Sequence, residues 1–269
     1  MEYIKLNNGN TVPKVFFGTY RIHDNDDVTD VIRDAYDAGY RAFDSASYYR
    51  NERELRDAFE TLGIRDEVTV TSKAWTDADT YDKVVEQFNE SRRELGQVDI
   101  YMLHWPMYDF KDRWRALEDL YLDGQIRNIA VANFKKHHLE ELLSFARVRP
   151  VIDQIEAHAY LMDYDTISFC HENDIAVQAW RPLMRTGPML SNTEILKVAE
   201  KHGKTVAQVC LRFLLQKDVC IVPKSTKAYR MKENISLFDF ELDAEDMAFM
   251  ESLNVGFRTA DDPDNFPRR

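Results

Sequence analysis

Eight strand-length apolar runs separated by segments of helical spacing, in a chain of 269 residues with no linker or break in composition, predict an α/β fold. The arrangement they fit is a (β/α)8 TIM barrel preceded by an N-terminal β-hairpin, a single domain over residues 1–269. Runs this apolar read as strands buried on both faces, and their alternation with helices implies parallel pairing through right-handed crossovers. A doubly wound sheet is the competing arrangement, but no GxGxxG follows any run and the chain has only nine glycines.

Taken in order, YIKLNNGNTVPKVFF alternates on either side of Asn8-Gly9, a dipeptide suited to the positive φ angles of a tight hairpin turn. VFFGT supplies the first barrel run. Val28, Val31, Ile32, Ala35 and Tyr36 then share one helical face, with Gly39 as a stop before YRAFD. Helical segments over 51–62, 81–95 and 114–122 lead into EVTVTSK, VDIYMLH and IRNIAVAN. Segments over 139–145 and 165–172 lead into PVIDQIE and IAVQAW, and a longer helical region over 193–215 precedes VCIVPK.

Composition narrows the function. A net charge of −12 argues against nucleic acid and anionic membranes as partners. No apolar run approaches the ~20 residues of a membrane span, and MEYIKLNNGN lacks the basic and apolar regions of a signal peptide, so a cytoplasmic protein is expected. Cys170, Cys210 and Cys220 have neither even number nor metal-ligand spacing and are expected to be reduced thiols. His137, His138, Glu140 and Glu141 in FKKHHLEELL read as a polar helix face, and no metal is expected.

Active sites of such barrels are built where strands end, so the residue closing each run is the informative one. These are Asp44, Lys73, His104, Asn133, Gln154, Trp180 and Lys224, an unusually polar rim. A phenol with a pKa of about 10 is a poor proton donor near neutrality unless a cation favours its phenolate. Tyr49, in FDSASYYRNE, lies five residues beyond Asp44, and Lys73 on the next run offers that charge. A lysine in a barrel mouth needs a carboxylate partner, which Asp44 can provide, and His104 can bond a substrate oxygen.

These residues, with LNNGNTVPKVFFGTY, VTSKAW, DIYMLHWP, DQIEAH and VPKSTKAYRMKENISLFDFEL, resemble the aldo-keto reductases, in particular the short bacterial type grouped with 2,5-diketogluconate reductases. The resemblance covers essentially the whole chain. It implies reduction of small aldehydes, α-dicarbonyls, ketoacids or keto sugars by NADPH, with Tyr49 as general acid, Lys73 and Asp44 tuning it, and His104 orienting the carbonyl compound. It places the nicotinamide amide near Asn133 and Gln154, its ring on Trp180, and Gly18 and Thr19 nearby. Lys224, Ser225 and Arg230 match the positions that hold the 2′-phosphate, and Glu233 and Asn234 those at the adenine. A lysine with the fork of an arginine suits a dianionic phosphate. Tyr20, Tyr48, Trp75 and Trp105 match the substrate wall, and a monomer is implied.

Four positions depart from the commonest family pattern: Ala132 and Arg181 where serine is usual, Asp153 for asparagine, and Trp180 for tyrosine. Arg181 is expected to reach the cofactor pyrophosphate or an anionic substrate. The short WPMYDFKDRW and FRTADDPDNFPRR segments suggest an open pocket with broad selectivity. The alternative function is an NADP(H)-binding sensor or adaptor with incidental turnover, for which a full catalytic set has no use.

Overall fold

The computed structural model describes residues 1–22, 27–107, 109–185 and 187–266. Two short strands, β1 (Tyr3–Lys5) and β2 (Thr11–Pro13), pair antiparallel ahead of the barrel. The turn between them is not the two-residue type that Asn8-Gly9 suggests. Leu6 and Asn10 still pair across it, Gly9 N–H bonds the Leu6 carbonyl, and of these residues only Gly9 has a positive φ. The side chains of Asn8 and Asn10 both donate to Asn128 Oδ1, and Asn7 donates to the Pro150 carbonyl, so the hairpin is fastened across the N-terminal ends of strands. Its Leu6 and Val12 pack with Ala42, Ile100, Ala130 and Ile152 of the barrel interior. One end of the barrel is thereby plugged, and only the other can be entered.

The barrel strands are β3 (Phe17–Gly18), β4 (Ala42–Asp44), β5 (Thr69–Ala74), β6 (Ile100–Leu103), β7 (Asn128–Ala132), β8 (Ile152–Glu156), β9 (Ala176–Trp180) and β10 (Val219–Val222). They are parallel and adjacent in sequence order. The first and last meet through Phe16 N–H to the Ile221 carbonyl at 2.9 Å and Gly18 N–H to the Pro223 carbonyl at 3.0 Å, completing the predicted (β/α)8 architecture. Gly18 matters at this seam: a Cβ there would lie 3.3 Å from Val222 Cγ1 and 3.4 Å from Lys224 Cβ.

Among the described residues, ten helices surround the strands: α1 (Val28–Ala38), α2 (Glu52–Leu62), α3 (Tyr81–Leu95), α4 (Phe110–Leu122), α5 (Lys136–Phe145), α6 (Tyr164–Glu172), α7 (Thr193–His202), α8 (Val206–Gln216), α9 (Ala228–Ile235) and α10 (Ala244–Ser252). On α1 the apolar face read from the sequence is the buried one: Val31, Ile32 and Ala35 are inside, the first two worth about 1.5–3 kcal/mol each on burial. Gly39 closes it in the left-handed region at φ 111°.

Three segments differ from the sequence reading, α5 among them, which starts at Lys136 and not 139. α4 starts at Phe110, not 114, because Asp109 caps the Lys111 N–H and Phe110 packs on Phe134 and Phe145. The region 193–215 is two helices, broken where Gly203 turns left-handed at φ 62° and Thr205 forms a capping box with Gln208. α9 and α10, which the sequence reading did not assign, complete the wall. α10 buries Asp246 as well as Met250, with Lys201 and His202 bonding the carboxylate, so polarity hides its inner face.

Candidate active site

At the open end of the barrel lies a cavity of about 560 Å³ that runs from Asp44, Tyr49 and His104 to Lys224 and Arg230. Its floor is fixed by strand register. Asp44 closes β4, and its Oδ1 accepts from Lys73 Nζ on β5 at 2.7 Å and from Gln154 Nε2 on β8 at 2.7 Å. Lys73 Nζ donates a second bond to the Ser45 carbonyl at 2.8 Å, and the residue is wholly buried. Burial pulls the Lys73 pKa below its ordinary value against the opposing charge of Asp44.

Tyr49 ends a 3-10 turn, Ser47–Tyr49, that follows β4, and Arg50 beyond it is left-handed at φ 55°. This turn folds the ring back over the floor, 5.2 Å from Lys73 Nζ, 6.0 Å from the His104 ring and 5.0 Å from Tyr20. The phenol pKa is raised well above its ordinary value, chiefly by burial and then by Asp44 and Tyr20, with Arg181 opposing. The Lys73 ammonium nearby, which bonds Asp44 and Ser45, does not outweigh that burial. His104 is held neutral, its pKa driven well below the ordinary value by burial first, then by Lys73 and Arg113. Near neutrality the floor therefore presents a protonated phenol facing an uncharged imidazole.

Beside the floor, Asn133 sits left-handed at φ 64°, donates from Nδ2 to the His104 carbonyl at 2.9 Å and accepts from Trp180 Nε1 at 2.9 Å. Gln154 also donates to Gln178 Oε1 at 2.7 Å. Gln178 escaped the sequence reading, although a polar residue mid-run in IAVQAW was its signal. Asp153 points the other way, accepting from the Phe134 N–H, and burial raises its pKa above its ordinary value.

The far end of the cavity is basic. Lys224, Ser225, Lys227 and Arg230 line it where α9 begins, and Ser225 Oγ accepts from the Lys227 N–H at 3.0 Å. Gly18 and Trp180 line the cavity as well. Three of the predicted cofactor residues do not, and neither does the catalytic candidate Lys73: Thr19 bonds the Asp44 carbonyl through both N–H and hydroxyl, Glu233 accepts from the Thr205 hydroxyl at 2.6 Å, and Asn234 is buried in α9.

The Aldo/keto reductase family model matches residues 14–255. The chain belongs to this family. It is 41% identical over 267 residues to a glyoxal reductase of Bacillus subtilis (strain 168), the match covering 98% of this chain and 96% of that one. Among solved structures, MGS-M4, an aldo-keto reductase from a Medee basin deep-sea metagenome library, superposes with a TM-score of 0.93 at 35% identity, covering 99% of this chain and 100% of the other. An aldo-keto reductase (AKR2E5) of the silkworm Bombyx mori, solved as its NADPH complex, gives a TM-score of 0.90 at 31% identity over 97% of this chain and 90% of that one.

In this aldo-keto reductase the four predicted wall aromatics, Tyr20, Tyr48, Trp75 and Trp105, all face the cavity. Tyr48 stacks on Trp75 at 3.9 Å, and Trp75 sets its edge against His104 at 4.9 Å. A fifth aromatic was missed. Phe266 stacks on Trp105 with centroids 3.9 Å apart and planes 20° from parallel, and meets Trp75 edge-on at 5.9 Å. Its one sequence signal was an aromatic in an otherwise polar tail. The pocket is accordingly less open than the short tail suggested, because residues 257–266 fold back over its rim.

Arg181, left-handed at φ 52°, lines the cavity and donates from Nη1 to the Thr259 carbonyl at 2.8 Å and hydroxyl at 3.0 Å. It therefore ties β9 to the tail. His137 and His138 do gather with an acid, but with Asp264 rather than Glu140 or Glu141. His138 Nδ1 accepts from the Lys135 N–H at 3.1 Å, so its proton is on Nε2, 3.4 Å from Asp264 Oδ1. A protonated nitrogen donates to a carboxylate and does not ligate a metal.

Proposed function

We propose that the chain is an NADPH-dependent reductase of small aldehydes, α-dicarbonyls, ketoacids or keto sugars, acting as a monomeric cytoplasmic enzyme of one barrel domain. The observation that carries this reading is the continuity of the cavity, which joins Tyr49, His104 and Asp44, with Lys73 bonded to Asp44 beneath them, to the basic end at Lys224, Lys227 and Arg230. Its volume of about 560 Å³ lies within the range of small-molecule sites. The donor set suits the cofactor: Lys224, Ser225 and Arg230 offer cations and a hydroxyl to a 2′-phosphate, Trp180 a flat face, and Asn133 and Gln154 amide groups to a carboxamide. Bound NADPH supplies the hydride.

The chain's own part is proton delivery. The carbonyl oxygen is received between the Tyr49 hydroxyl and His104, whose neutral state avoids placing a competing acid there. As hydride reaches the carbonyl carbon, negative charge gathers on oxygen, and Tyr49 transfers its proton to it. An alkoxide is a much stronger base than a phenolate, so transfer is favourable even from a phenol whose pKa burial has raised. Lys73, beneath the ring, stabilises the phenolate left behind until solvent returns a proton. Asp44 keeps Lys73 charged for that role.

The test follows reduced-nicotinamide absorbance with glyoxal, methylglyoxal, an aryl aldehyde and a ketoacid. Wild type is expected to turn over with NADPH in preference to NADH. Tyr49→Phe is expected to lower kcat roughly 10²- to 10⁴-fold while binding NADPH as before. Tight NADPH binding with no turnover of any carbonyl would instead indicate a sensor.

A further inference from the structure

The tail that carries Phe266 buries Pro263 and is otherwise fastened by charge. Lys135 Nζ, two residues past Asn133 and at the start of α5, lies 2.6 Å from Asp262 Oδ1 and 2.6 Å from Asp264 Oδ2. Both acids sit in the 3-10 turn region around Pro263–Asn265, where Asp262 also accepts from the Asp264 N–H. Arg258 Nε is 3.6 Å from Asp262, its Nη1 is 3.8 Å from the buried Glu156, and Thr259 gives Glu156 its N–H at 2.8 Å. An isolated exposed ion pair contributes little, but one ammonium shared by two carboxylates within a network sets geometry more firmly. Lys135 does not line the cavity, whereas Phe266, two residues beyond Asp264, does.

We propose that Lys135 is a positioning residue for substrate selectivity: by gripping Asp262 and Asp264 it holds Phe266 parallel to Trp105 and square to Trp75, closing a slot that favours flat aryl or conjugated carbonyl compounds over compact ones. The proposal rests on the reductase reading above. A planar ring lying against Trp75 and along the exposed side of the stacked Trp105–Phe266 pair gains contacts with all three, while glyoxal or methylglyoxal, seated between Tyr49 and His104, meets Trp75 but is too small to extend to Phe266. Releasing the tail therefore removes binding of the ring and leaves the proton donor untouched. The effect falls on KM for one class of substrate and spares kcat.

The experiment compares wild type with Lys135→Ala, Lys135→Arg, Phe266→Ala and the Lys135→Ala/Phe266→Ala double variant, using NADPH with benzaldehyde and with methylglyoxal. Loss of an ordered aromatic contact raises the benzaldehyde KM of Lys135→Ala about tenfold, with kcat and both methylglyoxal constants within about twofold of wild type. Lys135→Arg restores the benzaldehyde KM. Phe266→Ala reproduces the rise for benzaldehyde, and the double variant is no worse than Phe266→Ala alone. An unchanged benzaldehyde KM, a parallel loss on both substrates, or additive effects in the double variant overturns the proposal. If no carbonyl is turned over, the reductase reading fails, and quenching of tryptophan fluorescence by benzaldehyde decides this one separately: weaker quenching in Lys135→Ala supports the slot, equal quenching overturns it.

Discussion

The floor of the cavity and its tail-built wall are held by different physics. On the floor, Asp44, Lys73, His104, Asn133 and Gln154 each sit within a parallel strand or just beyond its end, so backbone pairing places their side chains before any of them interacts. In the wall, Phe266 follows a segment that Lys135, Glu156 and Arg181 hold through ion pairs and hydrogen bonds from other parts of the chain. Register makes the floor tolerant of a lost side chain in its geometry and intolerant in its electrostatics. The tail has the opposite sensitivity.

The largest effect expected from this contrast comes from uncoupling the buried pair. Lys73 is 0% exposed and Asp44 3%, so removing either partner strands a charge in a dry interior. Asp44→Ala or Lys73→Met alone is expected to cost about 3–5 kcal/mol of unfolding free energy. The double Asp44→Asn/Lys73→Met variant, which leaves Gln154 an acceptor and no orphan charge, is expected to lose distinctly less. Urea denaturation of the four proteins checks it. If each single variant is as stable as wild type, the floor is not held as a paired interior.

The same contrast explains how much could be read from the sequence. A barrel writes its rim into the primary structure: the polar residue that ends each apolar run is a rim residue, and Asp44, Lys73, His104, Asn133, Gln154, Trp180 and Lys224 are all found there. Local pattern also gave α1 and the break at Gly39. What escaped depends on contacts across sequence. Phe266 lies 161 residues from Trp105, by the difference of their numbers, and nothing near it announces the stack. α10 escaped because its buried carboxylate is neutralised by Lys201 and His202 of a distant helix. The direction of the Tyr49 shift escaped for a further reason: the sequence shows that a lysine is near, while only the structure shows that burial outweighs it.

At the basic end the expected effect is intermediate and selective. Arg230 lines the cavity close to Lys224 and Ser225 and has the Tyr229 ring beneath it at 5.6 Å. Arg230→Ala is expected to weaken NADPH binding roughly ten- to a hundredfold, the worth of a charge-assisted hydrogen bond, and to leave NADH binding nearly unchanged. Equal losses for both nucleotides would move the 2′-phosphate away from this residue. Titration calorimetry with each nucleotide separates the outcomes.

The smallest effect lies in the wall and sharpens the claim that charge fastens it. His138 is pushed down to about 4, by burial first and then by His137, with Asp264 opposing. Lys135 and Asp262 are the other charges facing it, and the Phe110 and Phe134 rings pack on its sides. Because the folded value lies below the unfolded one of about 6.5, the unfolded chain takes up the proton first as the medium is acidified. Stability that is fully present above about pH 6.5 is therefore lost between there and about pH 4. His138→Gln keeps an acceptor for the Lys135 N–H and has no proton to gain. Its stability is expected to fall less than wild type's between pH 7.5 and 5, by about 1–2 kcal/mol. Denaturation curves at the two pH values measure the difference, and parallel losses would mean that the proton enters elsewhere and that α5 carries no acid sensitivity of its own.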